Sequence, residues 1–176
     1  MGYLDFFLQY FRHPLQMGTF TESSNSLVEA VVREMKGKKF VELGAGRGGR
    51  MTEGILSKLG EDGRLVALEI NPKLYEQLAM INDYRFSAFL DSAENFEIYE
   101  NYPDCIISGL PLLLLGFQKG VREKILSTSA KYPLFIQYSY ADVGKLLQQY
   151  FRDVEVTEVP ENIPPALVYV CSNGVR

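Results

Sequence analysis

The chain has 176 residues, of which 47% are hydrophobic and 23% charged, and its formal net charge at pH 7 is −4. These proportions are typical of one globular domain, and the negative balance gives no overall field that would attract nucleic acid or anionic lipid. No apolar run approaches the roughly 18 residues that a membrane-spanning helix needs, and residues 1–20 lack a signal-peptide pattern. We therefore expect an intracellular protein built around a single core.

The first 37 residues form a leader that precedes the first strand signal, and we expect a helical segment there. Residues 3–12 are rich in aromatic side chains, and a helix would place Tyr3, Phe7 and Phe11 on one face. Apolar stripes usually pack inward, so one interpretation is a helix that folds over the binding cleft. The other is an interfacial helix that rests on lipid. The two interpretations are compatible.

Residues 38–176 alternate between strand and helix signals, which predicts a parallel α/β sheet. The predicted strands are residues 39–45, 64–70, 85–90, 104–110, 133–140, 154–159 and 166–172. Helices are predicted from about residue 24 and over residues 47–59, 72–82, 112–129 and 141–151. Asn71 is placed to cap the helix that begins at Pro72. Cys105 and Cys171 lie in separate apolar runs, so we expect buried free thiols, and no metal site is predicted.

The first strand ends in a glycine-rich turn, and the second ends in a carboxylate. The turn reads Glu42-Leu-Gly-Ala-Gly-Arg-Gly-Gly, and Glu69 follows about 20 residues later. Glycines let a backbone approach a ligand closely, and a carboxylate at a strand end suits a ribose diol. The pattern predicts a nucleoside-containing cofactor at the carboxyl edge of the sheet.

Two cofactor classes fit this pattern. Gly44, Gly46 and Gly49 satisfy the dinucleotide fingerprint formally, but that match alone is weak. An acid inside the first strand, the short chain and a single histidine, His13, argue against a dinucleotide enzyme. The pattern instead resembles the class I S-adenosylmethionine (SAM) methyltransferases. That resemblance implies that Glu42 faces the ammonium end of SAM and that Glu69 binds the ribose.

The same resemblance assigns the rest of the cofactor site. Gly44, Gly46 and Gly48 would line the methionine moiety of SAM. The adenine ring would lie against residues that follow the second and third strands, namely Ile70, Asp91 and Ser92. Asp91 also suits the N-cap of the segment that follows it, and both roles can hold together.

The segment after the fourth strand, Ser-Gly-Leu-Pro-Leu at 108–112, stands where amino-methyltransferases place their acceptor loop. Adenine N-methyltransferases carry Asn or Asp and a stacking aromatic there, whereas this chain has Ser108 and Leu112. An acceptor base would lose its stacking platform, which argues against nucleic acid. The leucine run is also compatible with the start of a buried helix.

Several pieces together resemble the membrane-associating bacterial phospholipid N-methyltransferases. They are the aromatic N-terminal segment, His-Pro-Leu-Gln-Met-Gly-Thr-Phe-Thr-Glu-Ser-Ser at 13–24, the glycine turn, the segment 108–112, Gln-Tyr-Ser-Tyr at 137–140 and Asn-Ile-Pro-Pro-Ala at 162–166. The resemblance implies stepwise methylation of phosphatidylethanolamine, with S-adenosylhomocysteine as the product of each step. It implies a catalytic set of Ser108, Tyr138 and Tyr140, and an acceptor wall of Gly109, Leu110, Pro111, Asn162 and Pro164.

The expected fold is a Rossmann-like class I methyltransferase, with a seven-stranded sheet in the order 3-2-1-4-5-7-6 and helices on both faces. The expected function is SAM-dependent N-methylation of an aminophospholipid, with residues 3–12 on the membrane surface. The alternatives are an adenine N-methyltransferase acting on ribosomal RNA and a catalytically silent module that binds SAM or lipid. We expect a cytoplasmic location, with a peripheral position on the inner membrane face as a further option. The oligomeric state is left open.

Overall fold

A computed structural model describes residues 23–115 and 119–174, so the predicted membrane contact at residues 3–12 lies outside the described part. Within that part, seven strands form one sheet in the order β3-β2-β1-β4-β5-β7-β6. The strands are β1 (Lys39–Leu43), β2 (Arg64–Glu69), β3 (Phe86–Leu90), β4 (Cys105–Ser108), β5 (Phe135–Ser139), β6 (Asp153–Val159) and β7 (Ala166–Ser172). β1 to β5 are parallel, and β7 pairs antiparallel with both β5 and β6. This is the predicted order.

Helices connect the strands on both faces of the sheet. They are α1 (Asn25–Glu34), α2 (Arg50–Lys58), α3 (Pro72–Leu78), a 3₁₀ helix (Ala93–Ile98), α4 (Lys119–Ser129) and α5 (Gly144–Leu147). The predicted Asn71 cap is confirmed, because its side chain accepts from the Lys73 N–H, and the Ser24 side chain caps α1 by accepting from the Leu27 N–H. Each cap satisfies a backbone donor that a helix start leaves unpaired.

Several helices are shorter than periodicity predicts. The helix expected over 112–129 is described from Lys119, and the predicted start of the helix is instead a turn at 111–115, where the N–H groups of Leu114 and Leu115 donate to the Pro111 carbonyl. The helix expected over 141–151 is the single turn α5, and the one expected to reach residue 82 ends at Leu78. Apolar spacing does not distinguish a helix from a turn that buries the same side chains.

Two hydrophobic clusters lie on opposite faces of the sheet. One contains α1 and α2 side chains with Phe40, Leu65 and Ile107, and the other contains α4 and α5 side chains with Val41 and Ile106. Successive side chains of a strand point to opposite faces of the sheet, so the position of a polar residue in its strand decides the face on which it lies. Glu42 and Glu69 therefore share the α1–α2 face, and the register aligns Glu42 with Ala67, two residues before Glu69. Both predicted thiols are buried and free.

Candidate functional site

The carboxyl edge of the parallel strands gathers the predicted cofactor residues. The first of them, Glu42, is one residue before the end of β1 and only 1% exposed. The Thr52 hydroxyl on α2 donates to Glu42 Oε2 at 2.8 Å, whereas Oε1 has no partner among the described residues. Burial raises the pKa of Glu42 to about 8, the Thr52 hydrogen bond opposes the rise, and the charge of Glu69 adds to it. An ammonium group is the partner that such a carboxylate lacks.

Glu69 ends β2 with both carboxylate oxygens oriented by backbone donors. The Gly46 N–H donates to Oε2 and the Asn71 N–H donates to Oε1, each at 2.8 Å. Each oxygen keeps a second lone pair, and two neighbouring hydroxyls of a ribose can donate to those positions. The glycine turn and Glu69, the predicted ribose-binding acid, are therefore joined to each other directly.

The three predicted cofactor glycines lie in different surroundings. All three have positive φ, a backbone conformation that favours glycine. A Cβ at Gly46 would enter open space, so a ligand can approach the backbone there. A Cβ at Gly44 would lie 2.7 Å from the Leu110 side chain, and one at Gly48 would collide with Leu78 and Ile81. Gly46 thus faces the site, while Gly48 also permits close packing against the segment that contains α3.

The predicted adenine side lies at the ends of β2 and β3. Ile70 is 70% exposed directly after Glu69, which leaves an apolar surface for a ring. The Asp91 carboxylate accepts from the Ser92 N–H, the Asn95 amide and the Tyr99 hydroxyl. These three donors lower the pKa of Asp91, which is consistent with an ionised acid at the start of the 3₁₀ helix. Ser92, and not Asp91 as predicted, occupies the N-cap position there, and its side chain makes no cap bond.

Ser108 ends β4 with its side chain fully buried on the face opposite the two cofactor acids. Its hydroxyl accepts from the Leu110 N–H at 3.3 Å. Leu112, at the position of the stacking aromatic in adenine N-methyltransferases, is 1% exposed and belongs to the hydrophobic core. Ser108 therefore shapes the backbone of the acceptor segment, and Leu112 offers no platform to a base.

Tyr138 and Tyr140 are brought to the same face as Glu42, packed against the α1–α2 cluster. A Cβ at Gly109 would lie 2.2 Å from the Tyr138 hydroxyl oxygen. The phenol of Tyr138 thus reaches across from β5 to the residue that follows β4. Two of the three predicted catalytic side chains lie on the face that carries Glu42. The third, Ser108, lies on the opposite face, where it bonds the backbone of the segment that follows β4.

Asn162 is buried in the turn between β6 and β7, where the predicted acceptor wall would lie. Its amide nitrogen donates to the Pro164 carbonyl at 2.6 Å, and its amide oxygen accepts from the Ser24 N–H at 2.9 Å. The side chain therefore connects the start of α1 to the turn. Because β6 runs parallel to β5 and β7 begins at the same edge, this turn lies at the carboxyl edge with the acceptor segment.

The sequence interpretation missed two residues of the site. Thr52 is the hydroxyl partner of Glu42, and its only sequence signal is a polar residue on the buried face of a predicted helix. Gln137 is fully buried on β5, where its amide nitrogen donates to the carbonyls of Leu110 and Tyr138. Its position in an apolar strand was the available signal, because a buried amide needs partners.

This donor set fits SAM. The unpartnered Glu42 oxygen suits the ammonium end, the Gly46 backbone is open to a ligand, and Glu69 is oriented for a diol. Within residues 23–115 and 119–174, no group of three or more His, Cys, Asp or Glu side chains is arranged to hold a metal ion. In the same ranges no helix combines the length and apolar character that crossing a membrane requires.

Comparison with known proteins agrees with this geometry. An ornithine lipid N-methyltransferase from Singulisphaera acidiphila is 26% identical over 98% of this chain and 97% of its own length. A precorrin-6y C5,15-methyltransferase from Geobacter metallireducens superposes with a TM-score of 0.63 and 15% identity, covering 84% of this chain and 88% of its own. The chain is a SAM-dependent methyltransferase with the class I fold.

Fibrillarin from Aeropyrum pernix, solved with natively bound SAM, is a further structural neighbour of this methyltransferase. Its TM-score is 0.52 at 17% identity, and the match covers 78% of this chain and 67% of fibrillarin. No family model matches the sequence. The predicted fold, enzyme class and cofactor are thus confirmed, whereas the roles assigned to individual cofactor and acceptor residues stay predictions.

Proposed function

We propose that this methyltransferase transfers a methyl group from SAM to the amine of a membrane lipid. The similarity to the ornithine lipid N-methyltransferase carries the proposal, because it extends over 98% of this chain. The sequence resemblance points to phosphatidylethanolamine as the acceptor. Both lipids present an amine at a membrane surface, so the shared chemistry is N-methylation of an aminolipid.

The acceptor segment supports a lipid over a nucleobase. Leu110 in this segment is half-buried, and Leu113, which directly follows it, is 44% exposed, so the accessible side chains here are apolar. Ile163, in the turn at the same edge, is 74% exposed. An apolar rim beside an aromatic hydroxyl suits an amphipathic substrate whose amine must reach the cofactor. A base would need the stacking partner that Leu112 does not supply.

Little acid–base machinery is needed for the reaction. Bound SAM supplies an electrophilic methyl group on a sulfonium, and its thioether leaves without taking a proton. The attacking amine must be unprotonated, and water or the lipid phosphate can take its proton. The chain's own residues orient the two substrates: Glu42 and Glu69 hold the cofactor end, while Tyr138, Tyr140 and the 108–111 segment place the amine.

The test is transfer of labelled methyl from SAM to three acceptors in parallel. These are liposomes with phosphatidylethanolamine, liposomes with ornithine lipid, and unmodified ribosomal RNA, each with Glu69→Gln protein as a cofactor-site control. Label in either lipid supports the proposal, and chromatographic separation then identifies the lipid and counts the methyl groups. Label in RNA alone overturns it and indicates the adenine N-methyltransferase alternative. If SAM binds and all acceptors stay unlabelled, the silent-module alternative is indicated.

A further inference from the structure

Gln137 occupies a position that the lipid and cofactor assignments do not explain. It aligns with Ser108 in the parallel register of β4 and β5, and it is fully buried. Its amide nitrogen donates to the Leu110 carbonyl at 3.1 Å and to the Tyr138 carbonyl at 2.7 Å. Both partners are acceptors, so the nitrogen, not the oxygen, must face them.

Buried side chains therefore bond both the N–H and the carbonyl of Leu110. Ser108 Oγ accepts from its N–H, and Gln137 Nε2 donates to its carbonyl. The Leu110 side chain in turn lies over Gly44, close enough that a Cβ there would sit 2.7 Å from it. Leu110 is therefore a contact between the acceptor segment and the cofactor turn, and two buried side chains bond its backbone, whose carbonyl also accepts from the Leu112 N–H at 2.9 Å.

Gln137 Oε1 has no hydrogen-bond partner among the described residues. Leaving a buried amide oxygen unpaired costs on the order of 1–3 kcal/mol. An apolar residue of similar length would avoid that cost, as the neighbours Phe135 and Ile136 do on the same strand. The amide therefore has a use that packing alone does not provide, and that use is the pair of bonds from its nitrogen.

We propose that Gln137 is a positioning residue for methyl transfer, holding the Leu110 carbonyl so that the acceptor segment keeps a fixed distance from the cofactor turn. The proposal rests on the methyltransferase function proposed above. Gln137 acts through Leu110 and the Tyr138 backbone, and it touches neither substrate. A displacement of about 1 Å at a reacting pair can reduce rate by about 100-fold, so a loosened segment should impair transfer far more than cofactor binding.

The first experiment compares Gln137→Met with wild type, using Gln148→Met on the exposed end of α5 as the matched control. We expect kcat/KM for the lipid acceptor to fall about 100-fold, with the dissociation constant of SAM unchanged. Hydrogen exchange should quicken at the amides of Gly109, Leu110 and Leu112 and stay unchanged in β2. Unchanged kinetics and exchange, or an equal loss of SAM affinity, would overturn the inference.

A second variant covers the case in which Gln137→Met does not fold. Gln137→Glu keeps the shape, and its protonated carboxyl can donate one hydrogen bond to the Leu110 carbonyl, whereas the ionised form cannot. Its activity relative to wild type should therefore rise as pH falls, while Gln148→Glu should show a constant ratio. A constant ratio for Gln137→Glu would count against the inference.

The hydrogen-exchange arm separates this inference from the proposed function. If wild type methylates no lipid but Gln137→Met still quickens exchange at 109–112, the lipid assignment fails and the role of Gln137 in holding the segment stands. If wild type methylates lipid and Gln137→Met matches it in both assays, the lipid assignment stands and the inference fails.

Discussion

The Tyr138 hydroxyl lies so close to Gly109 that any side chain at residue 109 would displace it, since a Cβ would come within 2.2 Å of the phenol oxygen. Tyr138 is on β5 and Gly109 follows β4, so the contact joins two adjacent strand ends. It places an aromatic hydroxyl at the acceptor segment on the face that carries Glu42. The glycine is therefore needed for space, because its φ is not in the left-handed region.

Gly109→Ala should move the Tyr138 ring and reduce methyl transfer by about 100-fold through misplacement of the acceptor. SAM affinity should be retained, because Gly109 is outside the glycine turn. The measurement is kcat/KM on lipid together with calorimetric SAM binding. Gly120→Ala on α4 is the matched control, since a Cβ there meets nothing within 4 Å. Equal activity of the two variants would contradict the role given to the Tyr138–Gly109 contact.

Tyr138→Phe and Tyr140→Phe test the hydroxyls without removing the rings. If these hydroxyls hold the amine or its phosphate, at least one variant should show a raised KM for lipid and an unchanged SAM dissociation constant. Steady-state kinetics on liposomes would measure the KM for lipid of each variant. Full activity in both variants would mean that the tyrosines only pack against the sheet.

Thr52→Val removes the hydroxyl that donates to Glu42 while conserving side-chain volume. A hydrogen bond to a charged group is worth about 1.5–3 kcal/mol, so SAM affinity should fall by roughly 10- to 100-fold. Thr52→Ser, which keeps the hydroxyl, should bind SAM nearly as wild type does. Titration calorimetry measures the SAM affinity of all three proteins. Matching affinities for the Val and wild-type proteins would show that Glu42 does not need this donor.

Glu42→Gln should alter the pH dependence of stability. Because burial raises the pKa of Glu42 from 4.5 to about 8, the unfolded chain releases a proton in that window that the folded chain keeps. The stability of the cofactor-free wild type should therefore fall, relative to Glu42→Gln, as pH rises from about 5 to about 8. Denaturant unfolding of both proteins at several pH values measures the difference, and parallel curves would refute it.

The same carboxyl predicts proton release when SAM binds. An ammonium group beside Glu42 Oε1 favours the ionised acid, so wild type should release a proton near pH 7. Calorimetry in two buffers of different ionisation enthalpy counts that proton, and Glu42→Gln should release fewer. Equal proton counts would place the ammonium away from Glu42.

Removal of residues 1–12 distinguishes the two interpretations of the N-terminal segment. If the segment is a membrane anchor, liposome binding should be lost while SAM affinity stays intact. If it covers the cofactor cleft, SAM affinity should weaken. Flotation with liposomes and SAM titration of the same truncated protein give both readouts, and no change in either would exclude both roles.

Local signals in the sequence were sufficient to predict a parallel α/β sheet and to single out the candidate cofactor acids. The strand order was implied by the resemblance to class I methyltransferases and is confirmed, while the glycine turn with Glu42 and Glu69 depends on short-range spacing. Asn71 was recognisable as a cap because capping is a contact between near neighbours. Helix ends were less predictable, since the turn at 111–115 buries Leu112 as a helix would.

The partners of the polar side chains were decided only by the tertiary structure. Gln137 bonds Leu110, which is 27 residues away in the chain, and Asn162 bonds Ser24, which is 138 residues away. Tyr138 on β5 lies against Gly109, which follows the adjacent strand β4. Such contacts depend on strand register and on the face of the sheet on which each residue lies. A register shift of one residue would move the side chains to the opposite face. The sequence by itself therefore determined the fold class and the candidate residues of the cofactor end, while packing between distant segments decided how the acceptor segment is held.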